Sequence, residues 1–184
     1  MPRVRPVATR RGKALLVGVM SDTHDNTSFL PRIAREFEKV GVELVIHLGD
    51  YIAPFTLEKI LSSIDARFIG VMGNNDGEKP GLIEACKRHN CTLHDSMAEI
   101  ELGKARALAF HGFGPPSLTD KIALSLALSK SWDIILYGHT HKPVVSYVRG
   151  VLVLNPGTAG GALNSPSIAI LDTDRMKTEL VSLG

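Results

Sequence analysis

Five runs rich in apolar and β-branched residues recur along the chain: ALLVGVM at 14–20, ELVIHL at 43–48, RFIGVM at 67–72, RALAF at 106–110 and DIILY at 133–137. They are nearly continuous rather than alternating, as in strands covered on both faces. Between most of them the apolar spacing becomes helical. In SFLPRIAREFEKV, Leu30, Ile33, Phe37 and Val40 share one face, with Ser28 as the expected cap and Pro31 in the first turn. PFTLEKILSSI and KPGLIEACKRH read similarly, and SLTDKIALSLALSK opens with a capping-box-like Ser117 and Asp120. The final third turns antiparallel: VVSYVRGVLVLN folds about Arg149 and Gly150, and SIAILDTDRMKTELVSL about Thr173 to Met176, each as a hairpin. The pattern predicts one α/β domain over 14–184, with strands and helices alternating first and antiparallel strands then extending or facing the first sheet.

Each of the five apolar runs ends in a short polar segment: SDTHDN, GDY, GNNDG, HGFG and GHTHKP in turn. The carboxyl ends of neighbouring parallel strands lie together, so Asp22, His24, Asp50, Asn74, His111, His139 and His141 are expected to converge. Asp22 with His24, and His139 with His141, are i, i+2 pairs whose side chains leave an extended backbone on the same side. Gly49, Gly73, Gly112 and Gly138 supply the tight turns that such strand ends need. Taken singly, each segment has an ordinary reading as turn, cap or hydrogen-bonded loop. Together they would gather carboxylates and imidazoles at a high cost unless cations neutralised them.

The donor set narrows the metal. Carboxylate, imidazole and amide oxygen without thiolate suit manganese first, with nickel, iron, cobalt or zinc as alternatives, better than copper, calcium or magnesium alone. Seven side chains are too many for one tetrahedral ion, whereas two divalent ions sharing a carboxylate would use them all.

Bulk properties set the frame. A length of 184 residues fits one domain with a sizeable core, and 44% hydrophobic with 22% charged residues excludes a disordered chain. A net charge of +2 selects no partner. Much of the basic excess lies in MPRVRPVATRRGK at 1–13, read as a frayed basic tail, with an anion-binding arm as the alternative. No run approaches the roughly 18 apolar residues of a membrane helix, and ALLVGVM has no cleavage site after it, so a cytoplasmic protein without membrane contact is expected. Cys86 and Cys91 are neither a redox pair nor a zinc knuckle and read as structural thiols, with His89 and His94 nearby as surface chemistry. His47 reads as a buried strand residue, Asp25 and Asn26 as the turn before the first helix, and Asn155 in NPGTAGG as a residue that orders its turn.

The ordered series DTH, GD, GNND, HG and GHTH, with NPGT downstream, resembles the calcineurin-like metallophosphoesterase superfamily and its small bacterial and archaeal phosphodiesterase branch, from about Leu15 to about Gly157. The resemblance implies a four-layer αββα sandwich of two mixed β-sheets flanked by helices, with the final hairpins building much of the second sheet. It implies that Asp22, His24 and His141 hold a first ion, that Asn74, His111 and His139 hold a second, and that Asp50 bridges them. It further implies a dinuclear phosphodiesterase in which a metal-bridging hydroxide attacks phosphorus in line, with Asp50, Asn74 and His111 at the catalytic centre. Many members carry histidine where this chain has Asn75, and an amide cannot deliver a proton to the leaving group. Asp76 occupies the acidic position that supports a ligand.

Two other functions fit the same residues. One is a metal-binding scaffold with little catalysis, as some members of the superfamily are; the other is a phosphomonoesterase or nuclease. A small phosphodiester is the expected substrate, nucleic acid a weak partner through the tail, and a homodimer the expected assembly if one forms.

Overall fold

A computed structural model describes residues 14–184, so the basic tail expected at 1–13 lies outside the described residues. The five apolar runs form β1 (Leu16–Met20), β2 (Leu44–His47), β3 (Arg67–Val71), β6 (Ala105–Phe110) and β7 (Ile134–Tyr137). Two strands escaped the sequence reading, the three-residue β4 (Thr92–His94) and the six-residue β5 (Met97–Leu102). The helices are α1 (Leu30–Val40), α2 (Pro54–Ser63), α3 (Lys79–Arg88) and α4 (Pro116–Leu128). Both hairpins form: β8 (Pro143–Val148) with β9 (Val151–Pro156), and β10 (Ser167–Asp172) with β11 (Lys177–Ser182).

The strands divide between two mixed sheets. One has six strands in the order β11-β10-β1-β2-β3-β4 and the other five in the order β5-β6-β7-β9-β8. The five runs therefore do not share one parallel sheet. β1, β2 and β3 pair in parallel in the first, while β6 and β7 pair in parallel in the second. The hairpins also part company: β8 and β9 join the second sheet, whereas β10 lies antiparallel to β1 and extends the first.

Burial explains the layering. Val17, Val19, Leu44, Ile46 and Ile69 of the first sheet meet Ile100, Ala107, Ala109, Ile134 and Leu136 of the second in an apolar core between the sheets. Leu30, Ile33 and Phe37 of α1, with Leu57, Ile60 and Leu82 of α2 and α3, cover the outer face of the first sheet. Ala123 and Ala127 of α4 cover the second against Leu108, Ile135 and Val153. The result is the αββα sandwich. Phe37 shows how tightly α1 docks: a Cβ at Gly18 would stand 2.6 Å from its ring, so only glycine allows the approach.

Local signals were partly misread. Phe29, not Ser28, stands at the α1 N-cap, because the Ser28 hydroxyl donates to Asn26 Oδ1 at 2.7 Å. Val40 sits at the exposed end of the α1 stripe. α4 starts after Pro115, so Ser117 and Asp120 lie inside the helix, where Asp120 accepts a hydrogen bond from the Tyr137 hydroxyl at 3.0 Å. Cys86 and Cys91 are not thiols but a disulfide. The chain reverses after α3, with the Cys91 N–H donating to the Cys86 carbonyl at 3.0 Å, and this brings their Cα atoms to 5.0 Å.

Candidate metal centre

The polar segments meet where the ends of both sheets lie side by side, not along one sheet edge. Asp22, His24, Asp50, His139 and His141 all adopt left-handed backbone, with φ from 46° to 68°. For an L-residue this costs about 1–2 kcal/mol, and strain of this kind gathers at functional sites. The loops are locked together to hold it. Asp22 N–H donates to the Gly49 carbonyl at 2.9 Å and His24 N–H to the Asp50 carbonyl at 3.0 Å, joining the ends of β1 and β2. Gly138 N–H reaches the His111 carbonyl at 3.1 Å, and His139 N–H crosses between sheets to Asp22 Oδ2 at 3.1 Å. The glycines serve two needs: Gly49 and Gly112 have positive φ, whereas a Cβ on Gly73 would lie 2.1 Å from Asp50 Oδ1.

The side chains form two adjoining groups. Asp22, His24 and His141 make one, and Asp22, Asp50 and His111 the other, with the ligand-type atoms of each within 4.8 Å of one another. Asp50 Oδ2 lies 3.5 Å from His24 Nε2 and 3.3 Å from His111 Nε2, midway between the groups. Asn74 joins the second through Oδ1, 3.1 Å from His111 Nε2. His139 packs edge-on against the His111 ring, with centroids 5.3 Å apart. All seven candidates thus lie in one cluster.

Hydrogen bonds fix which ring nitrogen faces inward. His111 Nδ1 meets the Leu48 carbonyl at 2.6 Å, His139 Nε2 the Gly114 carbonyl at 2.6 Å, and His141 Nδ1 the Ala162 carbonyl at 2.8 Å. A carbonyl can only accept, so each of these nitrogens carries the proton and the other is left with a lone pair when the ring is neutral. His111 Nε2 then faces Asp50 Oδ2 and Asn74 Oδ1, acceptor against acceptor. His141 Nε2 likewise stands 3.1 Å from Asp22 Oδ1, a buried atom with no hydrogen-bond donor. Such a set of converging acceptors calls for a cation, so the residues present fit the divalent metals that their chemistry suggests.

Titration follows the same logic. Burial alone would raise the Asp22 carboxyl, but contacts with His141 and His24 hold it below the usual carboxylate range. Asp50 is also lowered: burial opposes this, and His111 and Asn75 overcome it. His141 is raised chiefly by Asp22. His111 is raised by Asp50 and Asp22 although burial pulls it down. The carboxylates thus favour positive charge at these imidazoles, the same field that would attract a cation.

Behind the candidates lies a supporting layer. His47 is fully buried; its Nδ1 accepts from Gly49 N–H at 3.1 Å, so the ring is neutral with its proton on Nε2, facing Thr23 Oγ1 at 2.8 Å. It thereby links the residue between Asp22 and His24 to the residue before Asp50. Asp76 Oδ2 accepts from the backbone N–H of Asp50 and Gly73 at 3.0 and 2.7 Å, and Oδ1 from Ile52 N–H at 2.8 Å. Its support thus reaches the backbone of the candidate Asp50 and its neighbours rather than a candidate side chain. Asn75 turns toward the cluster, its backbone N–H reaching Asp50 Oδ1 at 2.9 Å and its amide donating to Oδ2 at 2.7 Å. Asn155 holds the His139 loop through the Gly138 carbonyl and Thr140 Oγ1. Asp25 lies in the turn before α1, closed by Asn26 N–H to the Thr23 carbonyl at 3.0 Å, and its side chain also reaches the start of α2, accepting from Ala53 N–H at 3.0 Å and from the Thr56 hydroxyl. Thr23 and Thr158, which donates to the Asp22 carbonyl at 2.9 Å, were missed because a threonine carries no ligand signature in sequence.

Comparison with known proteins gives a consistent result. The sequence profile of the calcineurin-like phosphoesterase superfamily domain matches residues 15–176. A phosphodiesterase of Methanocaldococcus jannaschii is 35% identical over 161 residues, spanning 86% of this chain and 93% of the relative. A phosphodiesterase of Escherichia coli is 28% identical over 176 residues, spanning 84% of this chain and 85% of that one. Among solved structures, an archaeal phosphodiesterase superposes with a TM-score of 0.83 at 32% identity, covering 92% of this chain and all of the other.

Proposed function

We propose that this chain, which belongs to the calcineurin-like phosphoesterase superfamily, is a metal-dependent phosphodiesterase built on two divalent cations. In this reading Asp22, His24 and His141 hold one ion, Asn74, His111 and His139 hold the other, and Asp50 is shared. Cations held there would supply an acidified water for attack at phosphorus and charge neutralisation of the phosphate oxygens. The observation that carries the reading is the double set of opposed acceptors: Asp22 Oδ1 against His141 Nε2, and Asp50 Oδ2 with Asn74 Oδ1 against His111 Nε2. The 35% identical phosphodiesterase supports the diester specificity.

The chain's own residues divide the remaining work. The Leu48 and Ala162 carbonyls hold His111 and His141 in the tautomer that leaves an inward lone pair, and the Gly114 carbonyl fixes the proton of His139 on Nε2. Asp76 and His47 keep the β1, β2 and β3 loops in register. Asn75 steadies the shared carboxylate and brings no proton to a departing alkoxide, so the reaction favours esters with good leaving groups. Manganese is the first metal to test, because oxygen and imidazole donors without thiolate suit it.

The test is hydrolysis of bis(4-nitrophenyl) phosphate by metal-stripped protein titrated with Mn²⁺, beside Asp50→Ala. Activity that appears with metal and is lost in the variant is expected. A folded, manganese-loaded protein without activity would instead favour the scaffold.

A further inference from the structure

Among the described residues, four large apolar or aromatic side chains are more than half exposed: Phe55, Phe113, Tyr147 and Leu163. Two of them have partners. The Lys59 ammonium lies 5.5 Å from the Phe55 ring centroid, and the Tyr147 hydroxyl donates to the Met176 carbonyl. Phe113 and Leu163, 57% and 89% exposed, have no such partner, and each belongs to a loop that holds a metal-centre histidine.

Phe113 lies between Gly112 and Gly114, and the Gly114 carbonyl is the one that orients His139. Its backbone is fixed on both sides by one buried side chain: Phe113 N–H donates to Thr119 Oγ1 at 3.2 Å, and that hydroxyl donates to the Phe113 carbonyl at 3.1 Å. The ring is thus presented to solvent from a rigid base. Leu163 follows Ala162, whose carbonyl orients His141. It holds left-handed backbone at φ 63°, strain that no burial of its side chain offsets. Exposed, strained and pre-positioned apolar side chains at a site are what a ligand covers.

We infer that Phe113 and Leu163 form two apolar walls flanking the metal centre, one beside His139 and the other beside His141, and that the preferred substrate is a phosphodiester bearing an apolar or planar group on each ester arm. This rests on the metal centre proposed above. Each wall takes one ester arm, which a monoester cannot satisfy on both sides.

Isothermal titration of the manganese-loaded protein with diphenyl phosphate and with dimethyl phosphate measures this, since neither ester carries an activated leaving group and turnover is slow on the timescale of an injection. The wild-type protein should bind diphenyl phosphate at least about tenfold more tightly, the gain expected from covering part of two apolar side chains. Phe113→Ala and Leu163→Ala should each cut that preference by about threefold or more, with dimethyl phosphate affinity and manganese uptake unchanged. Equal affinity for the two esters, or a preference that survives either substitution, overturns the two-walled arrangement. Binding of neither ester overturns it as well. A protein that shows the expected preferences yet hydrolyses no diester contradicts the catalytic reading and leaves the walls in place.

Discussion

Lowering the pH from about 7 to about 5 opposes the structure at His47 in a way that glutamine at that position would not. The imidazole is fully buried, and Gly49 N–H occupies the lone pair on Nδ1 that a second proton would need. Burial pushes the folded-state pKa down to about 3, although Asp22 and Asp50 pull the other way, against an ordinary value of 6.5. A base whose folded pKa lies below its unfolded one contributes stability that is complete above the unfolded value and is lost as pH falls toward the folded one. Near pH 5 the unfolded chain holds a proton here that the folded protein refuses, which removes about 2 kcal/mol of stability. That figure hardly changes if the folded pKa moves by one unit, since either value lies below the test pH. Urea unfolding of metal-stripped wild-type protein and His47→Gln at both pH values measures it. His111 and His141 titrate in both proteins with the opposite sign, since their raised values give stability that is present below 6.5 and lost as pH rises through the folded pKa. The difference between the two pH responses therefore isolates His47, and the variant should lose about 2 kcal/mol less on acidification. His47→Asn, which can still accept from Gly49 N–H, serves if the glutamine variant does not fold. An identical pH response in wild type and a folded variant would refute the assignment of a buried, neutral imidazole.

Three further outcomes follow from the same contacts. Asp76→Asn puts an N–H₂ group where backbone donors need an acceptor, and should weaken Mn²⁺ affinity about 10- to 100-fold by calorimetry, as loss of ligand support commonly does. Asn75→His supplies a proton donor, so hydrolysis of alkyl 4-nitrophenyl phosphates should gain little, while diesters with only alkoxide leaving groups should gain up to about 100-fold in kcat. Manganese affinity should fall as pH drops through the raised pKa values of His111 and His141, because protons and metal compete for the same lone pairs; an affinity independent of pH between about 8 and 6 would contradict their role as ligands.

The strands and helices were legible because their signals are local. Continuous apolar runs marked buried strands, and Arg149-Gly150, with both residues at positive φ, marked the β8–β9 turn. The division into two sheets was not legible from periodicity: β3 and β6 are equally apolar, and nothing in either run says that they pair with different partners. β4 was hidden by its three residues, whereas β5 was legible in principle: Glu99 and Glu101 alternate with buried Ala98, Ile100 and Leu102, the pattern of a half-buried strand rather than of the continuous runs that marked the others. The cluster itself was foreseen for a reason only partly right. Convergence needed strand ends from two sheets, and the turns that aim Asp22, His24, Asp50, His139 and His141 use left-handed backbone at residues other than glycine. Sequence shows glycine where strain is avoided, but it does not show strain that is held in place by bonds such as His139 N–H to Asp22 Oδ2. The Cys86–Cys91 pairing was missed because four intervening residues match no familiar motif, while the reversal after α3 brings the two together.

The central claim is that seven side chains from the ends of two sheets hold two cations with Asp50 between them. Anomalous diffraction from crystals soaked in Mn²⁺ tests it most directly. Two peaks are expected, one among Asp22, His24 and His141 and the other among Asn74, His111 and His139, both in contact with Asp50. A single peak, or manganese bound away from these residues, would contradict the account.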